Sequence, residues 1–330
     1  MCVEEGTFLQ RVITIKHVFV INDHAGCGDA ERAARAARTL CGMEDCVVYR
    51  TDTPADATAF VRKYCEEHGD PVRFYACGGD GTLQSVANGV VGFPHASMTA
   101  YACGSGNDFV KYYGGQQPFL KIEELLQAQD VPVDLIKVSG HQYALNACHF
   151  GFDSAVASFM NKVRRHKLFG GKRAYPTAVA KALFCNMVTR CTVTVDGEVL
   201  NPAGKLLLCT VANGQFVGGS YRCAPRSKND DGLLEVCLVK PVSRLRFLQL
   251  MDAYKEGRHL TDPRFDDVVV YRRGSEVHIS SPDPQFACSL DGEVLYDSEL
   301  SVSVAEKAIR FSVPASAAPI GQIEKEEALA

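Results

Sequence analysis

The chain has 330 residues, 46% hydrophobic and 22% charged, a balance that excludes a disordered or fibrous protein and leaves room for two folded domains. A net charge of -4 argues against a dedicated nucleic-acid binder, and no apolar run approaches the roughly 18 residues that a membrane-spanning helix needs. The 14 cysteines include no C-x-x-C pair and several (Cys77, Cys103, Cys148, Cys209, Cys237) sit in apolar runs, so they read as buried free thiols of a protein in a reducing cytoplasm.

After an acidic leader without the order of a signal peptide, Val12 to Ile21 alternates and then becomes continuously apolar, as a buried strand of a parallel sheet does. It runs into the polar loop Asn22-Asp23-His24-Ala25-Gly26, and Asp29 is placed to cap a helix over Ala30 to Leu40. A second strand, Cys46 to Tyr49, carries Arg50 and Thr51 at its carboxyl end, where ligands of open α/β sheets collect, and Pro54 opens a helix running to Glu67.

The third strand, Val72 to Cys77, stops at Gly78-Gly79-Asp80-Gly81-Thr82, and a helix follows from Thr82 to Val90. Glycines let backbone approach an anion closely, and the helix start offers unpaired N–H groups, so the stretch reads as a phosphate cradle; the same letters also make an ordinary strand-to-helix turn capped by Asp80. Beside bare phosphate a carboxylate is misplaced, so Asp80 is expected to hold Mg2+ or a water. The next unit repeats the pattern: a strand over Met98 to Ala102, then Gly104-Ser105-Gly106, then a helix opened by Asn107-Asp108-Phe109. Two glycine turns on neighbouring strands can line one site.

Beyond Asp134 the texture changes to short alternating segments between Gly, Asn and Pro, a β-rich domain of sandwich or barrel type. The expected strands include Tyr143 to His149, Lys205 to Val211, Leu233 to Val239, Phe286 to Leu290, Leu300 to Val304 and Ile309 to Val313, interrupted by helices over Phe152 to Phe184 and Ser243 to Gly257. The basic stretch from Lys162 to Arg173 is amphipathic, which suits either an anionic membrane surface or a solvated helix face. Gly214 and Gly218-Gly219 mark backbone approaching another domain or a ligand, and Asn229-Asp230-Asp231-Gly232 has the make-up of a small cation loop or a turn. The letters Asp-Gly-Glu-Val-Leu occur twice, at Asp196 and at Asp291, and each copy is a strong hairpin signal. Two acids flanking a glycine, as in either copy, are also what a kinase needs beside a substrate hydroxyl, one to accept the proton and one to orient the base or hold metal.

Taken in order, Gly78-Gly79-Asp80-Gly81-Thr82, Gly104-Ser105-Gly106-Asn107-Asp108-Phe109, Asn213 to Gly219, Pro225 with Asp230-Asp231-Gly232, and Asp291-Gly292-Glu293 resemble the diacylglycerol kinase catalytic-domain family of lipid kinases. That family includes soluble bacterial diacylglycerol kinases and is related to sphingosine and ceramide kinases. The resemblance runs from Lys16 to Val313. It implies an α/β nucleotide-binding domain like that of NAD kinases (residues 1–133 and 314–330), a C-terminal β-sandwich domain for the lipid (134–313), and ATP between them.

By the same resemblance, Asn22, Gly26, Thr51, Gly78, Gly79, Asp80, Gly81, Thr82, Gly104, Ser105, Asn107 and Asp108 contact ATP and its Mg2+, with Asp80 and Asp108 in the metal and water network. Glu293 matches the general base and Asp291 its assistant, while Asp231 with the carbonyls of Lys228 and Leu233 matches a structural Mg2+ site. The reaction implied is ATP-dependent phosphorylation of a lipid hydroxyl, foremost diacylglycerol to phosphatidic acid, by a protein peripheral to the membrane; the resemblance leaves room for a homodimer and gives no nucleic-acid partner. Two positions depart from the family: Asp23-His24-Ala25 replaces a Pro-x-Ser/Gly loop, and Lys111 stands where an arginine is usual, which loses the bidentate fork. The competing readings are an NAD kinase, which uses the same Gly-Gly-Asp-Gly, and a nucleotide-binding regulator without turnover.

Overall fold

A computed structural model describes residues 15–22, 27–42, 45–138, 140, 142–152, 154, 156, 159 and 187–323. Its first half alternates strands and helices: β1 (Lys16–Asn22), α1 (Cys27–Cys41), β2 (Cys46–Thr51), α2 (Pro54–Glu67), β3 (Val72–Gly78), α3 (Asp80–Val90) and β4 (Ala96–Ala102). The four strands pair in parallel in the order β4-β3-β1-β2. Every residue of β3 and β4 is buried, including Arg73, Ser97 and Thr99, as in strands covered on both faces. The boundaries of α2 agree with expectation because its signals are local: Thr53 accepts the N–H of Asp56, a cap contributing about 1 kcal/mol, and proline sits at the first helical position.

Two local expectations in this half are corrected. Asp29 lies inside the first turn of α1, where its charge opposes the helix dipole favourably, and is not the residue ahead of it. Asn107-Asp108-Phe109 opens a single 3-10 turn, Phe109–Tyr113, instead of a regular helix, because Gly114 and Gly115 adopt positive φ and stop it.

After α4 (Ile122–Leu126) the chain becomes β-rich: β5 (Gln129–Val138), β6 (Tyr143–Ala144), β7 (Ala147–Gly151), β8 (Thr189–Arg190), β9 (Thr192–Val195), β10 (Glu198–Val199), β11 (Lys205–Leu206), β12 (Leu208–Ala212) and β13 (Leu234–Val239). Helix α5 (Arg244–Lys255), capped by Ser243, precedes β14 (Val269–Gly274), β15 (Glu276–Ser280), β16 (Ala287–Leu290), β17 (Glu293–Tyr296) and β18 (Glu299–Val313). Six strands form an antiparallel sheet ordered β14-β13-β12-β7-β16-β17. Its inner face (Phe150, Val211, Val236, Leu238, Leu290) packs on Ile136, Val193, Val277, Ile279 and Val302 of the other sheet, making the sandwich core. The expected helix over Phe152 to Phe184 and the basic stretch Lys162 to Arg173 fall almost wholly outside the described residues.

Four expected strands are redrawn. Tyr143 to His149 is split into β6 and β7, and Lys205 to Val211 into β11 and β12. Conversely, Leu300 to Val304 and Ile309 to Val313 are one 15-residue strand, β18, whose register against β5 slips between Ala305 and Ile309, where Lys307 takes φ 48°. The first part of β18 pairs with β15 in the sandwich, and Phe311 pairs with Met98 of β4, so a ten-stranded sheet runs through both halves of the molecule.

Candidate active site

The two glycine turns sit back to back at the carboxyl ends of β3 and β4. Gly104 donates its N–H to the Gly78 carbonyl at 3.0 Å, and a Cβ on Gly104 would stand 2.2 Å from the Gly79 Cα. A Cβ on Gly78 would stand 2.3 Å from Thr82 Oγ1, so close approach is what demands glycine at both places. Asn22 at the end of β1 donates to Thr82 Oγ1 at 3.1 Å, joining the first loop to the second. Gly81 and Ser105 are exposed at the mouth. Asn22, Gly78, Gly79, Thr82 and Gly104 are therefore brought together; Gly26 lies outside the described residues.

Asp80 is tied to the second loop, a bond the sequence does not announce. Its Oδ1 accepts the N–H groups of Asp108 at 2.7 Å and Phe109 at 3.3 Å, so it caps the 3-10 turn. Loss of solvent, and next the charge of Asp108, push its pKa up to about 7. The Asp108 carboxylate accepts Lys111 Nζ at 2.5 Å and the Gly219 N–H at 3.0 and 3.1 Å, while Lys111 also donates to the Gly219 carbonyl at 2.6 Å. Gly219, with φ 82°, comes from the sandwich half, so the glycine-marked approach of backbone across the cleft is realised here. Asn107 spends its Nδ2 on the carbonyls of Ala102 and Gly104 and on Gln116 Oε1, and its buried Oδ1 has no partner.

Across the cleft, Asp291 follows β16 at φ 47° and accepts three consecutive backbone N–H groups, from Leu145 at 2.7 Å, Asn146 at 3.1 Å and Ala147 at 2.8 Å. Those bonds turn the chain between β6 and β7 and explain why Tyr143 to His149 is not one strand. Burial pushes the Asp291 pKa up to about 6 against the pull of the three N–H groups, and the Asp108 charge adds to the rise. Two residues on, Glu293 is exposed and accepts Gln142 Nε2 at 2.8 Å. Asp291 anchors the turn; Glu293 is the carboxylate left at its surface.

Asp80, Asp108 and Asp291 thus act on one another through space. Among the described residues no three His, Cys, Asp or Glu side chains stand close enough to form a metal cage. Two carboxylates that repel each other at a glycine turn are nevertheless a fit for Mg2+, which takes one or two protein carboxylates and completes its shell with water and phosphate. Of the remaining expected site residues, Thr51 pairs in register with Asn22 at the carboxyl ends of β2 and β1. Thr51 is buried and its hydroxyl donates to the Thr53 carbonyl at 2.8 Å. Asp231 pairs with Arg273 and accepts the Leu233 N–H at 3.2 Å.

Of three further groups that hold the cleft, sequence reasoning marked Asn213 beside Gly214 and missed Asn146 and Asp134. Asn146 donates to the Phe216 carbonyl, and a Cβ on Gly214 would fall 1.7 Å from its Oδ1. Asn213 bonds the carbonyls of Asp134 and Leu145 at 2.7 and 2.9 Å. Asp134, fully buried, accepts the N–H groups of Gly232 and Lys307, both at 2.7 Å. Only the Asn-Gly pair was a signal. A small apolar cavity of about 50 Å3 lies on the outer side of the six-stranded sheet, walled by Phe152, Leu208, Val217, Tyr221, Val239 and α5 residues Phe247, Leu250 and Met251. Val217 and Tyr221 pair with each other, and Gly219 at the tip of the same loop is the residue that touches Asp108.

Comparison with known proteins bears on this arrangement. The profile of the diacylglycerol kinase catalytic domain matches residues 16–138, and that of the YegS C-terminal NAD kinase beta sandwich-like domain matches residues 146–313. The diacylglycerol kinase of Bacillus subtilis (strain 168) is 25% identical over 258 residues, covering 74% of this chain and 80% of that protein. The diacylglycerol kinase of Staphylococcus carnosus (strain TM300) is 26% identical over 249 residues, covering 74% and 77%. The crystal structure of a diacylglycerol kinase from Bacillus anthracis str. Sterne superposes with a TM-score of 0.69 at 20% identity, covering 91% of this chain and 98% of that one, a likeness of fold.

Proposed function

Because the chain belongs to the lipid-kinase family that joins a diacylglycerol kinase catalytic domain to a YegS-type sandwich domain, and is thus a phosphotransferase, we propose that it moves the γ-phosphoryl group of ATP to the hydroxyl of a diacylglycerol-like lipid. The observation that carries this reading is the loop Val217 to Tyr221: its ends wall an apolar cavity and its tip bonds Asp108, so a greasy acceptor and the phosphate side share one wall.

In this reading the N–H groups at the start of α3 and the Gly78–Gly81 backbone orient the phosphates, and Asn107 and Thr82 fix the loops that carry them. Mg2+, when bound, neutralises phosphate charge, and Asp80 and Asp108 are the side chains that would hold it. Glu293, exposed and free to reorient from Gln142, accepts the proton of the acceptor hydroxyl, while Asp291 keeps the turn in place. Among the described residues no helix is long and apolar enough to cross a membrane. In this reading the acceptor is met at a membrane surface, and Leu245 and Leu248, 68% and 49% exposed on the helix whose Phe247, Leu250 and Met251 wall the cavity, are the side chains for that contact.

The test is incubation with γ-labelled ATP and Mg2+, offering diacylglycerol in mixed micelles in one tube and NAD in another. Labelled phosphatidic acid is the expected product. Label in NADP with none in lipid would sink the proposal.

A further inference from the structure

The apolar cavity of about 50 Å3 has room for a few water-sized groups, far short of the roughly 300–1,000 Å3 of a pocket that takes a drug-sized molecule. For an acyl chain to lie there, a wall has to move. Leu208 and Val239 belong to β12 and β13, strands bonded to neighbours on both sides, and Phe247, Leu250 and Met251 belong to a helix capped at its start by Ser243. Val217 and Tyr221 belong to a five-residue loop whose bonds close on themselves, Val217 with Tyr221. At its centre Gly218 and Gly219 both take positive φ, 60° and 82°. A Cβ on Gly219 would meet nothing within 4 Å, so backbone conformation and not crowding calls for glycine there, and open space surrounds the tip. Adjacent glycines in such a loop are suited to act as a hinge.

What holds the tip comes from the nucleotide half. The Gly219 N–H lies 3.1 and 3.0 Å from Asp108 Oδ1 and Oδ2, and Lys111 Nζ stands 2.5 Å from Asp108 Oδ1 and 2.6 Å from the Gly219 carbonyl. Lys111 therefore bridges carboxylate and loop. Asp108 is also one of the two carboxylates that fit Mg2+. Once its oxygens are turned to a dication, the Gly219 N–H loses its acceptor and the Lys111 ammonium faces like charge. The Lys111 side chain is 25% exposed, which leaves it a way out to water.

We infer that the loop Val217 to Tyr221 is the entrance of the apolar cavity, and that Lys111 is the positioning residue that holds it shut through Asp108 until that carboxylate engages Mg2+ and nucleotide, so that nucleotide binds before lipid. This ordering rests on the proposed lipid kinase activity, and it gives Lys111 a part that the phosphate chemistry does not use.

Amide hydrogen exchange of the full chain reads the loop without turnover. With Mg2+ and β,γ-imido-ATP, the peptide over Gly78 to Thr82 should exchange more slowly. The peptide over Val217 to Tyr221 should exchange on the order of 10-fold faster, the reverse of ordinary protection by a ligand. Calorimetry with 1,2-dioctanoylglycerol in mixed micelles should show binding on the order of 10-fold tighter when Mg2+ and the analogue are present, as when the competent state is populated at roughly 10% without them. Lys111→Met should have a fast-exchanging loop and bind the lipid equally well with or without the analogue. Lys111→Arg keeps the cation and should keep the dependence. A wild-type loop that slows or holds its rate while the Gly78 to Thr82 peptide is protected overturns the inference alone. So does a Lys111→Met loop as slow as wild type, or a wild-type lipid affinity that ignores the analogue. A wild type in which the analogue leaves the Gly78 to Thr82 peptide unchanged and no lipid binds overturns the kinase reading beneath it.

Discussion

Two turns with the same five letters show where function enters this fold. Asp196-Gly197-Glu198 and Asp291-Gly292-Glu293 both connect antiparallel strands, β9 to β10 and β16 to β17, and both aspartates take positive φ, 44° and 47°. In each, the carboxylate collects backbone N–H groups from a neighbouring strand: Ser275 and Glu276 for Asp196, Leu145 to Ala147 for Asp291. The first turn lies at an exposed sheet edge, where Glu198 faces Arg272. The second lies in the cleft, where burial and the charge of Asp108 raise Asp291 and Glu293 accepts the neutral Gln142 amide. Local sequence makes the turn; the sheet order decides whether it faces solvent or a phosphate site.

The comparison breaks most sharply at the glutamates. Glu293→Gln should lower turnover about 10²–10⁴-fold, the range for losing a general base, whereas Glu198→Gln should stay within twofold in the same lipid kinase assay. Equal effects would end the distinction. Asp80→Asn keeps an oxygen for the Asp108 N–H but removes the charge, and turnover should fall on the order of 10²-fold with Tm preserved.

The aspartates differ in stability. Asp291→Asn puts an amide against three backbone donors in a buried turn and should cost about 1–3 kcal/mol by urea unfolding, while Asp196→Asn, at an exposed edge, should cost less than about 1 kcal/mol. The aspartates also set a pH slope. Asp80 and Asp291 titrate near 7 and 6 in the fold but near 3.8 unfolded, so between about pH 4 and pH 7 the folded protein holds protons that the unfolded chain has released. Without nucleotide and Mg2+, stability should therefore fall as pH rises through that window, and Asp80→Asn should flatten the slope in thermal melts.

What the sequence made legible was what short-range chemistry determines. The strand-glycine-helix units, α2 with its Thr53 cap, and the glycines at 214 and 219 can be read from neighbours alone. Expectations failed where a distant residue decides. Tyr143 to His149 alternates like one strand, and only Asp291, 144 residues past Ala147, breaks it. Asp80 resembles a free metal ligand, yet its first partners are N–H groups 28 and 29 residues away. Thr51 was legible by position, at the carboxyl end of β2 beside Asn22, while the bond of its hydroxyl to the Thr53 carbonyl was not.

The long strand β18 has a consequence for how the molecule is made. Phe311 pairs with Met98, and Thr99 Oγ1 donates to the Ser312 carbonyl at 2.7 Å, 213 residues apart. On the ribosome, β1 to β4 emerge early but keep an open edge at β4 until nearly the whole chain is translated. Such distant pairings slow folding and leave an unpaired strand edge exposed to other nascent chains meanwhile. The N-terminal half should accordingly fold late and together with the C-terminal half, and a chain cut before Glu299 should aggregate instead of folding as an isolated nucleotide domain.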